Sequence, residues 1–170
     1  LDDVLGAIVA GGAVPIYPWL DGSSPAEART EELLSLLIAK GVAGITIIPE
    51  RNWRIPDAAL RARRVEALHS VIALASRLDL PIVIGTEMNK PGQPLLDDWE
   101  AEPLRPYRQE FLRGADWLYG HTVLQRSLGL GYQSTWARTH LPGRGERNAF
   151  YMRVGREIPP GAGLITRLAR

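Results

Sequence analysis

The stretch VAGITIIPE, residues 42–50, decides the fold of this chain. Residues 43–48 are apolar or small at every position except Thr46, so the segment has no regular polar face. A strand of this kind is buried on both faces, as in a parallel sheet covered by helices. The stretch LPIVIGTE, residues 80–87, repeats the pattern. We therefore predict buried strands at residues 43–48 and 81–85.

Helical patterns surround these two strands. Ser24, Pro25 and Glu27 have the spacing of a capping box with proline at the first helical position, which predicts a helix over residues 25–40 that ends before Gly41. A second helix is predicted over residues 57–78, with Asp57 as its cap. With a short apolar strand at residues 13–17, the order is βαβαβ, which predicts parallel strands with right-handed crossovers.

The predicted fold class is α/β with parallel βα units that form part of a TIM-like, distorted βα barrel, because strand followed by Glu-X-Asn occurs twice, at Glu50 and Glu87. We expect residues 1–170 to form a single α/β domain. The sequence opens at Leu1 on a pattern typical of a helix end, so we also expect it to be the C-terminal portion of a larger barrel.

The patterns after Glu87 are weaker. Prolines predict a long loop over residues 91–103, and a helix is expected over residues 104–113, ending at Gly114. The apolar run at residues 115–120 predicts a fourth strand that leads to His121. Beyond it the chain is predicted to be mostly helical, with breaks at residues 129–131 and 142–143.

Composition narrows the class of protein. Twenty Lys and Arg against 19 Asp and Glu give a net charge of +1, so no global field attracts nucleic acid. The chain has no cysteine and no long apolar run, which predicts a cytoplasmic protein without a membrane span.

Polar side chains follow the predicted strands, where the loops of a parallel sheet open on one face. A strand-end carboxylate can transfer protons or bind a divalent metal, an imidazole can do either, and an amide orients a ligand. The alternatives are that Glu50 pairs with Arg51 or Arg54, and that His121 caps a helix. The candidate catalytic residues are Glu50, Glu87 and His121, the candidate metal ligands are Glu87 and His121, and the candidate substrate-binding residues are Tyr17, Asp21, Asn52 and Asn89.

Three segments resemble the C-terminal half of a PHP (polymerase and histidinol phosphatase) barrel: GGAVPIYPWLDGSSP at residues 11–25, ITIIPERN at 45–52 and PIVIGTEMN at 81–89. The resemblance implies a distorted βα barrel that uses a divalent metal (Mn, Fe or Zn) to hydrolyse a phosphate ester. The family's His-X-His and Asp-X-His patterns do not occur in this sequence, and only Glu87 matches a strand-end acidic ligand.

The leading hypothesis is therefore a PHP-like metal-dependent hydrolase, or the C-terminal part of one, acting on a small-molecule substrate such as a phosphate ester. The alternatives are a non-catalytic α/β module that binds a ligand or partner, and a metal-dependent sugar isomerase or epimerase. Arginines paired with Glu50 and Glu87 would favour the binding module. Open sheet edges would favour a homo-oligomer or association with a missing N-terminal half.

Overall fold

A computed structural model of the chain describes residues 1–89 and 91–161. Its strands are β1 (Ile16–Trp19), β2 (Gly44–Ile47) and β3 (Ile82–Ile84). Its helices are α1 (Asp2–Ala10), α2 (Thr30–Lys40), α3 (Glu50–Trp53), α4 (Ala58–Arg77), α5 (Arg108–Leu128), α6 (Thr135–His140) and α7 (Arg144–Glu157). Short 3-10 turns occupy Glu27–Arg29 and Arg105–Tyr107. None of the helices within these described residues is long and apolar enough to cross a membrane.

The described strands form one parallel sheet in the order β1-β2-β3. Tyr17 lies opposite Ile45, and Ile45 lies opposite Ile82, so the three strands run in register. This mixed α/β architecture with a parallel sheet confirms the coarse prediction of fold class. The sheet is open over the described residues, with β1 and β3 at its edges.

Separate apolar cores cover the two faces of the sheet. On one face Ile45, Ile47 and Ile82 pack with residues of α2 and α4, such as Leu34 and Leu68. The other core is built around Ala43, Trp117, Tyr132, Ala137 and Tyr151, with Ile16 and Val83 packed against it. Burial on both faces is what the apolar strands predicted.

In the βαβαβ half of the chain, the helix caps and ends agree closely with those predicted from the sequence. Asp57 caps α4 by accepting a hydrogen bond from the Leu60 backbone amide at 2.6 Å. Gly41 ends α2 in the left-handed conformation (φ 104°), where a glycine carries no steric penalty. The predicted helix over residues 25–40 begins as a 3-10 turn and becomes α-helical only at Thr30.

The prediction of a fourth strand at residues 115–120 was wrong. Residues 108–128 form one continuous helix, α5, which runs through Gly114 instead of ending there. A buried helical segment and a buried strand are both apolar over short lengths, so periodicity could not separate them. The breaks between α5 and α6 and between α6 and α7 occur at the predicted glycines and proline.

Candidate functional site

The carboxyl ends of the three strands form one edge of the sheet, which we call the carboxyl edge. Trp19 lies opposite Ile47, and Ile47 lies opposite Ile84, so the segments after these residues emerge side by side. Asp21 follows β1, Glu50 and Asn52 follow β2, and Glu87 follows β3. The structure therefore brings most of the predicted site residues to a common edge.

A buried carboxylate, Glu27, organises the loop after β1. Its side chain accepts hydrogen bonds from the backbone amides of Leu20 (2.8 Å), Asp21 (3.3 Å) and Gly22 (3.0 Å). The backbone amide of Glu27 donates to Ser24 Oγ at 3.1 Å, which is one half of the predicted capping box. The carboxylate, however, serves the loop instead of the helix start. The capping spacing identified Glu27 but not this role.

Asp21, predicted to bind substrate, is paired with Arg64 from α4. Arg64 Nη1 lies 3.0 Å from Asp21 Oδ1 and also donates to the Asp21 carbonyl at 2.7 Å. Burial raises the pKa of Asp21, but hydrogen bonds from Ser23 and the Arg64 charge outweigh it and hold the pKa below its usual value. Asp21 is therefore an anion whose charge is already compensated.

Tyr17, the other predicted binding residue from β1, is half-buried within the strand. Burial raises the pKa of its phenol, and the negative charge of Glu27 raises it further. Tyr17 thus stays neutral at physiological pH and can act only as a hydrogen-bonding or packing group there.

Asn52, predicted to orient substrate, joins the first two loops of the carboxyl edge. It is fully buried, and its Nδ2 donates to the carbonyl oxygens of Leu20 (3.0 Å) and Ile48 (3.2 Å). Its Oδ1 accepts no hydrogen bond from the described residues. The donor half of the amide is thus committed to the protein main chain.

Glu50 begins the short helix α3 and pairs with Arg54 one turn later. Arg54 Nη1 lies 3.4 Å from Glu50 Oε1, and the Glu50 side chain is 15% exposed. Glu50 Oε2 is buried and has no hydrogen-bond partner among the described residues. One oxygen of this carboxylate is thus compensated and the other is not.

Glu87 makes the shortest of the three ion pairs at the edge. Arg51 Nη1 lies 2.7 Å from Glu87 Oε1, with both side chains partly exposed. The pair links α3, which follows β2, to the segment after β3. Asn89 lies two residues further on in an exposed segment, where its backbone amide donates to Gln93 Oε1 at 2.9 Å.

His121 does not lie at a strand end, because it is inside α5. It is buried beside Gly12, in the turn that leads toward the amino end of β1, and its Nδ1 accepts a hydrogen bond from the Tyr132 backbone amide at 2.9 Å. Burial lowers the pKa of His121, although the Gly12 backbone opposes the shift. A cavity of about 370 Å³ adjoins it, lined also by Gln125. His121 thus belongs to a different part of the molecule from Glu87.

Neither the predicted metal ligands nor their neighbours form a metal cluster in the described ranges. Within residues 1–89 and 91–161 there is no group of three or more His, Cys, Asp or Glu side chains placed to hold an ion. Glu87 faces a guanidinium at 2.7 Å, which a metal would have to displace. Within the described residues, the predicted metal ligands Glu87 and His121 are therefore not brought together.

Sequence reasoning anticipated Arg54 as a partner of Glu50 but missed the pairs of Arg51 with Glu87 and of Arg64 with Asp21. Arg51, Arg54 and Arg64 each hold one of its carboxylates. The signal for Arg51 and Arg54 was their proximity to Glu50 in the chain, which favoured a pair without identifying the partner of each. Arg64 is distant from Asp21 in sequence, so only the docking of α4 beside the first loop could reveal that pair.

Comparison with known proteins does not assign this chain to a family. The chain matches no protein-family model, no curated protein and no solved structure.

Proposed function

We propose that the carboxyl edge binds a small anionic ligand, such as a phosphate ester, and that the chain is a ligand-binding α/β domain. One observation carries this proposal. Each of the three predicted site acids that follow a strand is paired with an arginine: Asp21 with Arg64, Glu50 with Arg54 and Glu87 with Arg51.

Since each carboxylate offsets the charge of its arginine, an anion would be recognised here by the remaining guanidinium donors and not by net charge. A guanidinium carries five N–H donors in a rigid plane, and Arg51 and Arg54 each contact their carboxylate through one nitrogen, Nη1. The carboxylate fixes the guanidinium, so an arriving anion meets donors that have already lost much of their conformational freedom. Planar forks of this kind match phosphate and carboxylate groups.

The test is calorimetry with phenyl phosphate as the probe. We expect Arg51→Gln or Arg54→Gln to weaken its binding by about tenfold, the loss expected for one charge-assisted hydrogen bond. Arg63→Gln is the matched control, because Arg63 is an exposed arginine on α4 outside the edge. Failure of the unmodified chain to bind phenyl phosphate, or equal losses in all three variants, would contradict the proposal.

A second candidate is the PHP-like metal-dependent hydrolase. It is favoured by Glu50 Oε2, a buried carboxylate oxygen that accepts no hydrogen bond from any described residue. In this proposal Glu50 is an acid/base or supporting group and Glu87 a metal ligand, while histidines come from another segment or chain that completes a TIM-like barrel. The metal would activate water and neutralise phosphate charge.

The two candidates differ in their need for metal. If the second is correct, this chain combined with the segment or chain that supplies the histidines hydrolyses p-nitrophenyl phosphate when Mn, Fe or Zn is added, and Glu87→Gln abolishes both metal retention and activity. If the first is correct, phenyl phosphate binds equally well with and without a chelator. Metal-free binding without turnover therefore rejects the hydrolase for this chain.

A further inference from the structure

A cleft of about 500 Å³ lies between the segment after β3 and the first turns of α5. It is separate from the ion pairs of the carboxyl edge. Asp97, Asp98, Trp99 and Glu100 line one side, and Phe111 and Leu112 of α5 line the other. This volume is within the range of small-molecule sites in proteins.

Asp97 carries the argument for a ligand. It is 6% exposed, and its Oδ1 accepts hydrogen bonds from Trp53 Nε1 (2.9 Å) and from the Asp98 backbone amide (2.8 Å). Its Oδ2 is buried and accepts no hydrogen bond from any described residue. Asp97 is also part of the lining, so its carboxylate adjoins the cleft. A buried acceptor without a donor is costly, so this position favours a ligand that supplies one.

Charge around the cleft selects a cation. The lining includes three carboxylates and one guanidinium, that of Arg108. Arg108 Nη1 lies 2.9 Å from Glu100 Oε1, so its charge is compensated by Glu100. Asp97 has no ion-pair partner among the described residues. The uncompensated charge of the lining is therefore negative.

The aromatic and aliphatic side chains that line the cleft favour a ligand with an apolar or aromatic group. Trp99 and Phe111 meet edge to face with ring centroids 5.8 Å apart. Leu112 is half exposed at the cleft. Aromatic faces beside a carboxylate suit an organic cation, because the ring quadrupole and the carboxylate both attract its charge.

We propose that this cleft is a binding site for a small primary amine with an apolar body, whose ammonium donates to Asp97 Oδ2 and whose body packs on Trp99 and Phe111. The proposal does not rest on the function proposed for the carboxyl edge. A primary ammonium is preferred over a quaternary one because only the former can donate a hydrogen bond.

The experiment compares three probes of similar size by calorimetry at pH 7: phenethylamine, 2-phenylethanol and 3-phenylpropionate. We expect only phenethylamine, which is a cation at this pH, to bind. Asp97→Asn should weaken that binding by at least about tenfold, because it removes the charge while keeping an acceptor for Trp53. Asp3→Asn, an exposed aspartate on α1, is the control and should leave binding unchanged.

A second variant keeps the test decisive if Asp97→Asn does not fold. Leu112→Lys places a positive charge at the cleft on a half-exposed position, so it should fold normally and weaken phenethylamine binding. Equal binding of phenethylamine and 2-phenylethanol would mean an apolar groove without charge selection and would overturn the proposal. So would the absence of phenethylamine binding to the unmodified chain.

Discussion

Two buried polar side chains, Glu27 and Asn52, hold the loops of the carboxyl edge by bonding to main-chain groups. Glu27 satisfies three consecutive backbone amides, and Asn52 serves one carbonyl oxygen in each of two loops. Backbone groups buried away from water need such partners. These two residues therefore set the geometry of the edge without being exposed to a ligand.

The first prediction concerns Glu27. Glu27→Gln replaces a carboxylate that accepts three hydrogen bonds by an amide with a single acceptor oxygen, so it should lower the free energy of unfolding by about 2 kcal/mol. Urea denaturation measures the change. Glu66→Gln, an exposed glutamate on α4, is the control and should change stability by less than about 0.5 kcal/mol. A loss no larger than that of the control would show that the loop does not depend on this carboxylate.

The second prediction concerns the pH dependence that Asp21 contributes. Its pKa in the folded protein is below the unfolded value of about 3.9, so its stabilisation is present above that value and is lost as pH falls through the folded pKa. Asp21→Asn should therefore cost about 1 kcal/mol at pH 7, and the difference from the unmodified chain should narrow below about pH 4. Urea denaturation across pH 3–7 checks it; a difference independent of pH would contradict the role of the charge.

At the scale of elements, glycines set how closely helices approach their neighbours. A Cβ at Gly114 would overlap the carbonyl oxygen of Ile82, so α5 lies almost against the backbone of β3. Gly120 and Gly155 play the same part between α5 and α7, where a Cβ would overlap the carbonyl oxygens of Tyr151 and Asp116. The glycine that suggested a helix end is therefore a point of contact within a helix.

The third prediction compares two helical glycines. Gly114→Ala should destabilise the protein by about 3 kcal/mol or more, because the methyl group cannot be placed without moving α5 or β3. Gly6→Ala on α1 is the matched control: nothing lies within 4 Å of its added Cβ, so helix propensity should make it stabilising by up to about 1 kcal/mol. Thermal unfolding of the two variants measures the contrast, and equal effects would refute it.

For the molecule as a whole, apolar side chains remain exposed on the first two helices. Val4 of α1 and Leu36 of α2 are each more than half exposed, and an exposed ion pair joins Lys40 to Asp2 at 2.9 Å across the two helices. β1 is also an edge strand in the described sheet. Exposed apolar surface and open strand edges both favour association.

The fourth prediction is that the chain self-associates. Light scattering at micromolar concentration should give a mass above the 18.7 kDa of one chain. The double variant Val4→Lys with Leu36→Lys should shift the population toward monomer with an unchanged circular dichroism spectrum, because both side chains are exposed. A monomeric mass for the unmodified chain would count against this prediction and against a homo-oligomeric assembly.

The sequence by itself determined the parallel βαβαβ part of the fold. Apolar strands at residues 43–48 and 81–85, the cap at Asp57 and the stop at Gly41 are local signals, and each depends on a few neighbouring residues. They also placed Glu50, Asn52 and Glu87 at one edge, because the carboxyl ends of parallel strands lie at the same edge of a sheet.

Only the tertiary structure decided what Asp21, Asn52 and Glu87 contact. The pairs Arg64–Asp21 and Arg51–Glu87 join segments far apart in the chain, so no local pattern could specify them. The helical state of residues 115–120 was decided in the same way, by packing of α5 against β3 and α7. The local sequence determines which polar side chains follow the end of a strand. Their ion-pair partners depend on which charged side chains the packing of other elements places within about 4 Å.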